Sequence, residues 1–185
     1  MLAFVHEQVG QERDGTREAL EALNRQLELA HRAASRFRAN LPNRDEAITE
    51  LNREAGGPES EIKRYAGLFV ADTLPALRWR HGNEISEQLL HEVSHRHIAA
   101  LLPGGKFFRW SAQSILAIWS SSAELADISS VMARSCQAPF DCRAFVGTRT
   151  ATFRISMRLA LWNVPVDTTE LARAFDEFSQ GADAK

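Results

Sequence analysis

Lys106-Phe107-Phe108-Arg109-Trp110-Ser111-Ala112-Gln113-Ser114-Ile115-Leu116-Ala117-Ile118-Trp119 consists of two apolar runs around a short polar connection. Aromatic and β-branched residues fill both runs, which reads as strands over 106–110 and 114–119 joined as a hairpin. Pro103-Gly104-Gly105 stands just before the first strand and stops a helix spanning about 84–101. Ile85, Leu89, Val93 and Ala100 form the inward stripe of that helix. Further upstream, residues 65–71 (YAGLFVA) are apolar throughout, the pattern of a strand covered on both faces. An earlier helix starts at Asn43, an N-cap residue followed by Asp45 and Glu46, and stops at Gly56-Gly57. Downstream of the hairpin, a helix over about 123–136 leads to a second strand pair. There Phe153, Ile155, Met157, Leu159 and Leu161 alternate with Arg154, Ser156, Arg158 and Ala160, predicting one buried face and one open to water or a partner. A last amphipathic helix covers 168–178. The order predicts an α/β (α+β) domain, with helices packed on a largely antiparallel sheet.

Composition narrows what such a domain does. The 185 residues are 44% apolar and 25% charged, enough apolar material for a real core. Lys plus Arg number 22 against 24 for Asp plus Glu, whereas a general nucleic-acid binder is basic. No apolar run approaches the roughly 18–20 residues of a membrane helix. The opening MLAFVHEQVGQERDG turns polar too soon for a signal peptide, so the expected location is cytoplasmic. Cys136 and Cys142 are too few for a disulfide framework or a four-cysteine zinc site, and read as reduced thiols.

The first 38 residues differ from the rest. Leu20, Leu23, Leu27, Ala30, Ala34 and Phe37 recur at spacings of three and four, an a/d seam with strongly charged flanks. This predicts an N-terminal helix over 1–38 that pairs with a second copy as a coiled coil, followed by a domain over 39–185. The competing reading packs the same stripe on its own domain.

His91-Glu92-Val93-Ser94-His95 matches H-E-x-x-H, in which two histidines one helical turn apart bind zinc and the glutamate activates water. In an α-helix both histidines lie nearly opposite the inward stripe and face solvent. The H-x-x-G-x-x-H extension is also missing after His95. A solvated helix face is therefore expected here, with no metal site.

Four segments in order resemble GGDEF domains, the family that includes diguanylate cyclases. Leu41-Pro42-Asn43-Arg44 matches the opening L-P-N-R. Residues 65–93 resemble the strand and helix of LLLDLDxFKxINDxxGHxxGDxLLxxV. Arg109-Trp110-Ser111-Ala112-Gln113-Ser114-Ile115 falls where R-[WYL]-G-G-D-E-F sits, in the same hairpin. Ala138-Pro139-Phe140 and the run 155–161 are similar to the later strands.

The resemblance implies a nucleotidyl-cyclase-like sheet and a pocket that once served GTP. It also implies that the catalytic parts are missing. The family's two Mg²⁺-holding acids fall at Val70 and Gln113, and its acidic catalytic position falls at Ser114. Mg²⁺ is a hard cation that wants carboxylate and phosphate oxygens, which neither Val nor neutral Gln replaces. The two motif glycines are Ser111 and Ala112, and Leu102 to Gly105 lacks the product-inhibition R-x-x-D. Arg158 stands where a later strand carries glycine. In the guanine pocket the acid persists as Glu87, while the asparagine becomes Arg78; Asp72 keeps only the second Asp of D-x-D. Arg78 then either makes an anion site or pairs with Glu87 and plugs the pocket.

The expected function is a catalytically inactive GGDEF-like signalling module, a dimeric scaffold in cyclic-di-GMP-type signalling with an unidentified protein partner. The alternatives are a residual sensor of GTP or cyclic di-GMP and, further off, the zinc protease. The expected nucleotide-contacting residues are Asp72, Arg78, Glu87, Ser111, Gln113 and Ser114, with no catalytic residue, metal ligand or cofactor. One experiment reads the N-terminal seam directly. Leu23→Asp with Leu27→Asp places unpaired charge in it, which is strongly unfavourable when buried. Sedimentation is expected to report a folded monomer in place of a dimer; a double mutant that stays dimeric removes the helix as the interface.

Overall fold

All residues from Tyr65 to Ala71 are buried, and alternate side chains along them enter two different cores. A strand in that position needs a paired strand on each edge and helices over each face. The computed structural model describes residues 41–55, 62–164 and 168–181. The predicted N-terminal seam, and the glycine stop at 56–57, lie outside the described residues. In chain order the elements are α1 (Arg44–Ala55), β1 (Lys63–Ala71), α2 (Leu74–His81), α3 (Asn83–Glu92), β2 (Lys106–Arg109), β3 (Ser114–Ser121), α4 (Leu125–Cys136), β4 (Phe140–Val146), β5 (Arg149–Ile155), β6 (Met157–Asn163) and α5 (Thr169–Ser179).

The main sheet has the order β2-β3-β1-β6, and each neighbouring pair is antiparallel. Both crossovers therefore place one strand between the two they connect, a split β-α-β arrangement used twice. Phe69, Ala71, Ile115 and Ala117 face a core with Leu74 of α2, Ile85 and Leu89 of α3, and Met132 of α4. Ala66, Leu68, Val70, Leu116 and Ile118 face the opposite core, closed by Ala47 and Leu51 of α1 and by Leu171 and Phe175 of α5. β4 and β5 form a separate two-stranded sheet. It docks on α3 through buried Cys142 and Ala144, and through the Phe145 amide, which donates to the buried Gln88 Oε1 at 2.7 Å.

Asn43 caps α1 as expected: its Oδ1 accepts from the Glu46 amide at 3.0 Å, and its own amide donates to Glu46 Oε2 at 2.7 Å. The Arg109 amide donates to Pro42 O at 2.7 Å, tying the entry of α1 to the edge strand β2.

Three expectations need correction. The alternation over 153–161 is two strands in two sheets, broken at Ser156. The Ser156 carbonyl accepts the Asp72 amide at 3.0 Å and its amide donates to Thr73 Oγ1 at 3.3 Å, so the chain switches sheets where β1 ends. The face predicted to be open is also covered in β6, where Trp162 packs on Phe175 and Phe178 of α5. Second, α2 was hidden in the sequence because it is short, begins with Pro75 in its first turn and stops at Gly82, whose φ is +88°. Third, the long helix does not remain α-helical. After α3 it continues as a π-helix over Val93–Ile98 and closes with Ala99–Leu101. The wider turn moves Ile98 into the core and leaves Ala100, predicted inward, exposed.

No helix among the described residues is long and apolar enough to cross a membrane.

Gly67 marks a close approach at the centre of the sheet. A Cβ there meets Leu161 Cδ2 at 2.8 Å and the Trp119 ring at 3.1 and 3.2 Å. Gly67→Ala is therefore expected to lower stability by about 1–3 kcal/mol in denaturant unfolding, the usual cost of overpacking. A surface pair gives a second measurement. Glu50 of α1 accepts from Arg53 and from Lys106 of β2, and these partners, Arg53 first, pull its carboxyl from 4.5 to about 2 against the opposing effect of burial. Its folded pKa is depressed, so its contribution is complete above pH 4.5 and lost as pH falls toward 2. The stability gap between wild type and Glu50→Gln is expected to close over that acid range.

Candidate functional site

The turn between β2 and β3 closes without glycine. The amides of Trp110 and Ser111 both donate to the Ser114 carbonyl, at 3.0 and 3.2 Å, and Ser111 Oγ accepts the Gln113 amide at 3.2 Å. No non-glycine residue among those described takes a left-handed backbone, so Ser111 and Ala112 form this tip in ordinary conformations. The tip is joined to the end of β1: Val70 lies directly opposite Ser114, and the Ala71 amide donates to Gln113 O at 2.9 Å.

The residues predicted to gather do gather. Asp72 follows β1, Arg78 projects from the last turn of α2, and Glu87 comes from α3. Their pairings exclude the plugged pocket, one of the two arrangements that the sequence leaves open. Arg78 does not take Glu87; its Nη2 donates to Ala112 O at 2.9 Å, bridging α2 to the tip. Glu87 is held by Arg109 through two bonds of 2.5 Å, a fork-to-fork pair that fixes α3 against β2. Asp72 accepts from Arg158 Nε at 2.8 Å. The same guanidinium donates through Nη1 to Phe178 O at 3.0 Å and lies over the Phe178 ring.

Helix α5 completes the arrangement, and the sequence pattern gave no sign of its role. Ser179, in its last turn, brings a hydroxyl within 3.5 Å of Ser111 Oγ and 3.3 Å of Ser114 Oγ, while those two are 2.6 Å apart. Gln113 Nε2 donates to Ser179 O at 3.4 Å. Asp176, one turn earlier, accepts from Trp110 Nε1 at 3.0 Å and takes Arg44 of α1 in a two-bond pair at 2.9 and 2.7 Å. The contacts that α5 makes here join residues 65 to 132 positions apart, beyond any local spacing rule.

At the two positions that resemble metal ligands, the structure has side chains already committed. Val70 is fully buried and packs in the core with Leu116 and Phe175. Gln113 is a neutral amide bonded to α5. Ser114, also fully buried, carries only a hydroxyl, shared with Ser111 and Ser179. This set of donors holds polar groups in place but offers no carboxylate cluster for a hard cation.

The H-E-x-x-H segment begins one helical turn after Glu87; His95 is exposed, as expected, whereas His91 is not. The rings of His91 and His95 stack with centroids 4.2 Å apart, and His91 is half-buried. Burial, followed by the neighbouring His95, lowers the His91 pKa below its usual value. Among the described residues no three His, Cys, Asp or Glu side chains are placed to hold a metal ion. Cys136 and Cys142 are both free and buried; burial pushes the Cys142 thiol up to about 12, leaving it protonated and unreactive.

No protein-family model and no curated protein matches the sequence. Solved structures do match it. A diguanylate cyclase/phosphodiesterase from Caldicellulosiruptor saccharolyticus superposes with a TM-score of 0.59 at 19% identity, over 77% of this chain and 82% of that one. A sensory box/GGDEF family protein from Caulobacter crescentus gives 0.57 at 15% identity, over 77% and 92%. The coiled coil and GGDEF domain of DgcB from the same organism, in complex with c-di-GMP, gives 0.54 at 16%, over 93% and 94%. Identity at this level speaks for architecture alone, and the architecture agrees across all three: the chain has the fold of GGDEF diguanylate cyclase domains.

Proposed function

We propose that this chain is a GGDEF-fold signalling module without cyclase activity, acting in cyclic-di-GMP-type signalling as a dimeric regulatory or scaffold domain. The observation that carries this reading is the fate of the two metal-ligand positions. Val70 is sealed in the core and Gln113 is a neutral amide bonded to α5. Phosphoryl transfer depends on positioning and charge stabilisation, and a site without carboxylates at those positions supplies neither around a magnesium triphosphate. The hydroxyl cluster of Ser111, Ser114 and Ser179 supports the same reading, because α5 occupies one side of the tip. The dimeric part rests on the apolar seam through Leu20, Leu23, Leu27, Ala34 and Phe37.

Incubation with GTP and Mg²⁺ or Mn²⁺ is expected to give no cyclic di-GMP above a no-enzyme control, read by chromatography beside an active cyclase. Gln113→Glu combined with Ser114→Glu is expected to leave that result unchanged, because Val70 still brings no carboxylate. Product that scales with protein concentration would refute the reading.

A further inference from the structure

Four guanidinium groups and three carboxylates surround the hairpin tip; Arg44 takes Asp176, and among the described residues one cation is left over. Arg109 takes Glu87 and Arg158 takes Asp72. Arg78 is left with a single neutral acceptor, the Ala112 carbonyl. Its Nε is buried and has no hydrogen-bond partner among the described residues. Leaving a buried donor unmade is costly, and more so on a charged group. α3, which packs against α2, holds a second buried atom of this kind, Oγ of Ser86, in a residue 1% exposed.

We propose that Arg78 anchors an oxyanion site at the hairpin tip, whose ligand is a small molecule bearing a phosphate or carboxylate group. A guanidinium presents a planar fork of donors that matches two oxygens of such a group. The bond to Ala112 O already fixes one arm of the fork, which reduces the ordering cost of binding. Asp72 and Glu87 do not compete for the cation, since each has its own arginine. The inference rests on the non-catalytic reading of the same tip, and it makes the protein's own cation the anion's partner, so binding needs no divalent metal.

Calorimetric titration of the full chain in EDTA tests this, with inorganic phosphate, GMP, cyclic di-GMP and citrate as separate probes. At least one probe is expected to bind saturably. Arg78→Ala and Arg78→Lys are expected to weaken it by about tenfold or more, as loss of a charge-assisted fork predicts. Arg80→Ala, on the exposed side of α2, is expected to leave it unchanged. Where Arg78→Ala fails to fold by circular dichroism, Arg78→Lys, which keeps the charge but not the fork, carries the comparison. Binding of phosphate assigns a free anion, binding of GMP or cyclic di-GMP without phosphate assigns a nucleotide, and binding of citrate alone assigns a carboxylate; each supports the site. Absence of binding by all four probes at millimolar concentration overturns it, as does affinity unchanged in both Arg78 variants. Cyclic di-GMP synthesis, measured separately, would overturn the non-catalytic reading alone, and a failed titration leaves that reading standing.

Discussion

Burial of β1 on both faces is the constraint on which the remaining structure depends. A strand with no solvent-facing side gives up water on every backbone group and must recover those bonds from two neighbours. β3 and β6 supply them along nearly its full length. Its side chains then divide between two cores, and the helices are allotted accordingly: α2, α3 and α4 to one face, α1 and α5 to the other. The functional region is a by-product of this arrangement. Where β1 ends, Val70 and Ala71 meet Ser114 and Gln113 of the hairpin tip, and Asp72 follows directly because the central strand stops there.

The tip is then fixed by arginines. Arg44, Arg109 and Arg158 each bind a carboxylate from another part of the chain, and the pairs join α1 to α5, β2 to α3, and β6 to the end of β1. These groups are partly exposed, so their contribution to stability is modest. Their planar geometry is more consequential, because a two-bond pair sets the orientation as well as the distance of the helices it links. Arg158 adds the contact with Phe178, and so couples the end of β1 to the last turn of α5.

What the sequence made legible follows the range of each interaction. The apolar run at 65–71, the hairpin over 106–119 and the cap at Asn43 are written in neighbouring residues, and the structure has all three. The gathering of Asp72, Arg78 and Glu87 at the tip was also readable, through the ordered segments that resemble GGDEF domains. The pairings within that group were not. Whether Glu87 meets Arg78 or Arg109 is decided by the crossing of α3 over β2, which no spacing encodes. Ser179 and Asp176 were missed for the same reason, since a polar residue on an amphipathic helix gives no sign of where it docks. The run over 153–161 misled in the opposite way: an unbroken alternation concealed a change of sheet, because Ser156 fits the period while its backbone bonds to Asp72 and Thr73.

The π-helical stretch Val93–Ile98 gives the long helix a phase break. A π-turn holds more residues than an α-turn over a similar length, so the apolar stripes on its two sides no longer share one rotation. Ile85, Leu89 and Val93 are aligned by one half, Ile98 and Leu102 by the other, and all five still reach the same core. Removing one residue between them would let the stretch wind as an ordinary α-helix, with Ile98 and Leu102 falling four and eight residues after Val93 on the same stripe. The wide turn thus absorbs one extra residue without loss of the stripe. A further inserted residue, with no second wide turn to absorb it, would rotate Leu102 and the Pro103-Gly104-Gly105 entry to β2 by about 100°.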